Sequence, residues 1–151
     1  MSLTQSHYAW MASFFAENGF SQLRRTIFAE TPKLSTYLWT LNVGYYIVKE
    51  CEDYRIPMRI IVRKGQHQPE SINYCFSLIK KTVDFYEHIF GQPYPFSKLD
   101  FVCCPMVRYS AMESAGCIVC GESMMATKRM ENLSSGSIMN STLLIMHEIS
   151  H

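Results

Sequence analysis

Residues Met58–Phe90, MRIIVRKGQHQPESINYCFSLIKKTVDFYEHIF, change their hydrophobic period partway along, and that change sets the architecture. From Met58 to Arg63, the apolar Met58, Ile60 and Val62 alternate with Arg59 and Arg63, and only Ile61 is out of step. A period of two marks a half-buried strand, whose successive side chains point to opposite faces. From Ser71 the apolar residues recur instead at steps of three and four: Ile72, Cys75, Phe76, Ile79, Val83, Tyr86, Ile89 and Phe90. Lys80, Lys81, Asp84, Glu87 and His88 fill the other side. This spacing predicts an amphipathic helix packed on a sheet, with Ser71 as its N-cap and Gly91 followed by Pro93 as its stop. Between the two periods, Gly65-Gln66-His67-Gln68-Pro69 predicts a loop and a domain boundary.

Upstream, after an aromatic opening at Tyr8–Phe15, the chain reads as β-rich. Ser35–Lys49 (STYLWTLNVGYYIVK) predicts a long strand bent at its glycine. Downstream, strands are expected over Lys98–Cys104 and Gly116–Cys120, and a polar loop over Gly121–Ser137. Ile138–His151 is apolar almost all round, which predicts a buried helix. The expected class is α+β, with a β-rich part over residues 1–64 and a second part over 65–151.

Composition bounds the function. At 151 residues with 48% apolar and 18% charged side chains, the chain can bury a core and is not disordered. Fourteen Lys and Arg against thirteen Asp and Glu leave no basic excess, which argues against a nucleic-acid partner. Apolar runs such as Tyr45–Val48 and Leu143–Met146 are far below the roughly 20 residues a membrane span needs. The six cysteines, with Cys103 and Cys104 adjacent and Cys117 and Cys120 separated by two β-branched residues, fit reduced structural thiols better than a redox pair. A reducing, cytoplasmic setting is the expectation.

The chemistry is concentrated at the end of the chain, His147-Glu148-Ile149-Ser150-His151, an HExxH pattern. Histidines at i and i+4 on a helix share one face, so both imidazoles can reach one metal ion. Glu148 lies about 100° around the helix from His147, beside such an ion, where its carboxylate can take a proton from bound water. The bland alternative is a pair of core histidines satisfied by hydrogen bonds. A buried apolar helix makes that alternative costly.

Thirty-four residues earlier stands Ala111-Met112-Glu113, followed by Ser114-Ala115-Gly116-Cys117-Ile118. Here the chain resembles the gluzincin aminopeptidases, the family of membrane alanyl and puromycin-sensitive aminopeptidases, which carry GxMEN ahead of HExxH. Two more stretches agree in order. Thr31–Leu38 is similar to the family's TPxMSTYL, and Phe90–Asp100 to its FGxxYPLxKLD. The likeness runs from about Phe28 to His151.

The resemblance implies one zinc ion held by His147 and His151, with Glu148 as general base. It implies Glu113 as the anchor of the substrate's free α-amino group, with Ala111 and Met112 as backbone running beside the substrate. Glu122 fits an acidic residue that often follows the motif. Peptides with a free N-terminus are the implied partners. The implied architecture is the end of an N-terminal β-rich domain followed by the first part of a thermolysin-like zinc peptidase domain, with the third zinc ligand and a transition-state tyrosine beyond His151. Ser110, Ser114 and Ala115 stand where the family has glycine, asparagine and tryptophan. A non-catalytic remnant or binding module of the same fold, a lipid-epoxide hydrolase of the same family, and an ordinary strand-edge role for Glu113 are the alternatives.

Overall fold

The structure, a computed structural model, describes residues 15–17, 20–22, 33–65, 69–105, 107–125 and 134–151. The chain divides into two compact units, Met1–Gly44 and Tyr45–His151. In the first, β1 (Phe15–Glu17) and β2 (Phe20–Gln22) form an antiparallel pair with Phe15 opposite Gln22. Thr36–Leu38 is a single 3₁₀ turn, closed where the Leu38 N–H donates to the Ser35 carbonyl at 3.1 Å. The long strand expected over Ser35–Lys49 is therefore broken, and regular pairing starts only at Tyr46. Thr40, Asn42 and Gly44 supply the reason. The Asn42 amide bonds the Thr40 hydroxyl at 3.0 Å, and such local side-chain bonds compete with a ladder. Of the stretches read from sequence, Tyr8–Phe14, Thr31 and Pro32 lie outside the described residues.

The second unit holds a five-stranded mixed sheet in the order β3 (Tyr46–Cys51), β4 (Met58–Arg63), β5 (Leu99–Cys104), β7 (Cys117–Gly121), β6 (Ala111–Met112). β3 runs antiparallel to β4. β4 and β5 are parallel, joined through α1 (Pro69–Phe90), with Met58 opposite Leu99. β5 and β7 are parallel, and β6 returns antiparallel to β7. The arrangement is α+β. The Gly65–Pro69 stretch, of which residues 66–68 lie outside the described set, falls between β4 and α1 in sequence. β3 and β4 share their sheet with residues beyond position 64, and the compact units part between Gly44 and Tyr45.

The alternation read in Met58–Arg63 is present: Met58, Ile60 and Val62 are buried and their neighbours half-buried. They meet Ile72, Cys75, Phe76, Ile79 and Val83 of α1, together with Leu99, Phe101 and Cys103 of β5 and Ile118 and Cys120 of β7. Burying an aliphatic side chain of this kind contributes about 1.5–3 kcal/mol. α1 begins at Pro69, a residue suited to a first helical turn, so Ser71 is a buried helix residue rather than the cap. Gly91 follows the helix with φ 63°, as its stop role requires.

Two downstream expectations change. The Gly121–Ser137 loop contains α2 (Glu122–Met125), and residues 126–133 of it lie outside the described set. α3 (Ser135–Ser150) is not buried all round. Ile145 and Glu148 are its buried residues, whereas Met139 and Leu143 are exposed. All six cysteines are free; Cys103 and Cys120 meet at 4.0 Å between sulfurs on neighbouring strands. Among the described residues, no helix is long and apolar enough to cross a membrane.

Candidate active site

The β6–β7 hairpin carries Glu113. Ala111 stands opposite Cys120 and Met112 opposite Val119, and the Gly121 N–H donates to the Ser110 carbonyl at 3.0 Å. In an antiparallel ladder hydrogen-bonded and non-bonded pairs alternate, so this bond fixes the parity. Ser110 and Met112 face β7, and the N–H and C=O of Ala111 point away from it. β6 is the last strand of the sheet, so those groups fall on its edge. Glu113, half-buried, comes directly after the strand. The chain then turns back: the Cys117 N–H donates to the Ser114 carbonyl at 2.8 Å, and Gly116 takes φ 64°. A Cβ on Gly116 would lie 3.0 Å from the Lys98 carbonyl oxygen, so both conformation and space call for glycine. Ser114 is buried, and its hydroxyl has no hydrogen-bond partner among the described residues.

α3 carries the histidines. Ser134 caps it, its hydroxyl accepting from the Ser137 N–H at 3.1 Å. The helix packs against α1 and α2 and reaches β6, bringing the HExxH segment to the hairpin. His147 and His151 lie one turn apart with Nε2 atoms 3.1 Å from each other and ring planes at 88°. Glu148 is 7% exposed, and its Oε2 has no partner among the described residues. Burial pushes its pKa up. The Glu113 charge pushes the same way, against the pull of His147 and His151.

Two nitrogens bound at about 2.0–2.1 Å to one tetrahedral zinc stand about 3.3 Å apart. The 3.1 Å separation of the imidazole nitrogens fits two corners of such a site. Among the described residues, no group of three or more His, Cys, Asp or Glu is gathered to hold a metal. Glu122 has a structural role: its carboxylate is bidentate to Arg63, one contact at 2.7 Å, which ties the start of α2 to β4.

An edge hairpin of a mixed sheet packs against the helix that bears HExxH, and sequence comparison assigns the class: the chain matches the Peptidase family M1 domain over residues 74–151 and belongs to the M1 zinc-aminopeptidase family. Aminopeptidase 2 of Candida albicans is 30% identical over 129 residues, which are 85% of this chain and 14% of that protein. Tricorn protease-interacting factor F2 of Thermoplasma acidophilum is 37% identical over 128 residues, 82% of this chain and 15% of its own length. The thyrotropin-releasing hormone-degrading ectoenzyme of Rattus norvegicus is 29% identical over 126 residues, 82% of this chain and 12% of its own. The chain therefore spans only a small part of the length of these relatives.

Sequence reading missed the network behind the hairpin. Asp100, 2% exposed, receives both Arg59 nitrogens (Nε at 2.8 Å, Nη2 at 2.6 Å) and Lys98 Nζ at 2.6 Å. Lys98 Nζ also donates to the Gly116 carbonyl at 2.8 Å. The one available signal was the pairing of a KLD triplet with the later glutamate motif. Nothing in the spacing says that they touch.

Proposed function

We propose that this chain carries part of the active site of a zinc aminopeptidase, which hydrolyses the N-terminal residue from peptides. The observation that carries the reading is the approach of two imidazole nitrogens to 3.1 Å on a helix that also buries Glu148, one oxygen of which has no partner among the described residues. His147 and His151 would hold the ion through Nε2, and a catalytic site of this kind takes a third protein ligand as well. When bound, zinc supplies Lewis acidity that activates water and polarises a peptide carbonyl.

Glu148 accepts the proton released from the attacking water on its carboxylate. Its desolvated environment raises its basicity, which suits a general base. Glu113 pairs with the substrate's α-ammonium by a charge-assisted bond, which confines cleavage to free N-termini. The outward N–H and C=O of Ala111, with Met112 beside it, offer an extended peptide a strand-like docking edge. In this reading residues 65–151 belong to the N-terminal part of a thermolysin-like catalytic domain and 1–64 to the end of a β-rich one, with β3 and β4 as the strands that join them.

The test is chelator-sensitive release of N-terminal residues by the protein, with N-acetylated peptides resistant. Glu113→Gln should lower kcat/KM on free-amine substrates by about 10–100-fold, the scale of a lost charged hydrogen bond. Equal turnover of free and acetylated peptides would remove the amine anchor. Turnover of a lipid epoxide alone would favour a lipid hydrolase of the family, and no turnover with zinc bound would favour a binding module.

A further inference from the structure

We infer that Lys98 is a positioning residue for Glu113, acting through the carbonyl of Gly116. The inference rests on the reading of Glu113 as the amine anchor. Glu113 is borne on a turn whose β6 side is only two residues long, so few ladder bonds hold it from that direction. From the other side the turn is clamped at Gly116. Its carbonyl accepts from Lys98 Nζ at 2.8 Å and from the Asp100 N–H at 3.0 Å, which fills both oxygen lone pairs.

The Lys98 backbone presses on the same residue, its carbonyl oxygen 3.0 Å from where a Gly116 Cβ would sit. Lys98 is itself held, because its ammonium bonds the Asp100 carboxylate that Arg59 grips with two nitrogens. The Cys117–Ser114 bond then leaves Glu113 one residue from a closed turn. Lys98 therefore sets the height of the turn above the sheet, and with it the place where the Glu113 carboxylate meets an amine. The Lys98 side chain is 43% exposed, so replacing its ammonium does not open the core.

Lys98→Met keeps the aliphatic stem and removes the donors. In the protein, KM for free-amine peptides should rise about 3–10-fold with kcat held within about twofold, the signature of lost binding rather than lost chemistry. Lys98→Arg, which retains charge and donors, should restore most of the KM. Hydrogen exchange at the Cys117 amide should quicken in Lys98→Met and stay near wild type in Lys98→Arg, a readout independent of turnover. If the Met variant melts too low to assay, Lys98→Gln, which shortens the stem and removes the charge, should show the same raised KM and quickened Cys117 exchange, and wild-type values for both would overturn the inference. A wild-type protein without preference for free amines would overturn the amine-anchor reading, and this inference with it. A preserved preference in Lys98→Met, with unchanged KM and unchanged Cys117 exchange, would overturn the inference alone.

Discussion

His147 Nε2, in the last turn of α3, stands 3.1 Å from Nε2 of His151, the residue that caps the helix. One helix supplies both nitrogens, so their approach is set by the i, i+4 spacing and not by long-range packing. Calorimetric titration of the 151-residue chain should show zinc binding weaker than micromolar, because the described residues offer two ligands where a catalytic site takes three. His147→Ala or His151→Ala should remove that binding. Sub-micromolar stoichiometric uptake would show a third ligand recruited from within the chain.

Glu148 gives a second prediction, on chemistry rather than binding. Its carboxylate is buried beside the two imidazoles, and one oxygen has no partner among the described residues. Glu148→Gln keeps the shape and removes the base. At saturating zinc, kcat should fall about 10²–10⁴-fold with the metal content unchanged from wild type. Steady-state kinetics with metal analysis on the same sample decides it. An unchanged kcat would take Glu148 out of the mechanism.

Much of the sheet-and-helix unit was legible because its signals are local. The period change after Met58–Arg63 fixed a strand and a helix, and both are present, with Val62 and Val83 each 1% exposed. Ser35–Lys49 misled because aromatic content was weighed above Thr40 and Asn42, whose side chains bond each other, and above Gly44, a residue poorly suited to a strand interior. α3 was expected to be buried all round, yet Met139 and Leu143 are exposed. Composition records how apolar a helix is, not how much of the surrounding layer reaches it. Of the candidate site, motif order names residues, but the contacts that support them are not legible in it. Lys98 and Gly116 are brought together by the parallel β5–β7 pairing, a long-range event that no spacing encodes.

Gly116 and Gly91 share nearly the same backbone conformation, φ 64° and 63°, and differ in surroundings. A Cβ at Gly91 meets nothing within 4 Å, whereas one at Gly116 meets the Lys98 carbonyl oxygen at 3.0 Å. Gly91→Ala should therefore cost only the left-handed strain, about 1–2 kcal/mol. Gly116→Ala should cost that strain plus the clash, and should lower Tm by more than its partner variant. Parallel thermal melts measure the difference; equal shifts would mean that the turn relaxes freely and is not clamped.

Asp100 makes the acid side of stability predictable. Burial raises its pKa, but hydrogen bonds and charges from Arg59 and Lys98 outweigh that and hold it below the ordinary carboxylate value. A depressed folded pKa means that the unfolded chain binds the proton more readily, so stability from this group is fully present above the unfolded value of about 3.9. It is lost as pH falls below about 4 and through the lower folded pKa. Asp100→Asn removes the titrating group while keeping its shape. The two cations are 38% and 43% exposed, so water screens them, and the variant should lose about 1–2 kcal/mol at neutral pH. Its urea stability should then fall less steeply than wild type on acidification, so that the two curves converge at the acid end. Parallel curves from neutral pH down to pH 3 would show that Asp100 is not the carboxylate that couples this sheet to protons.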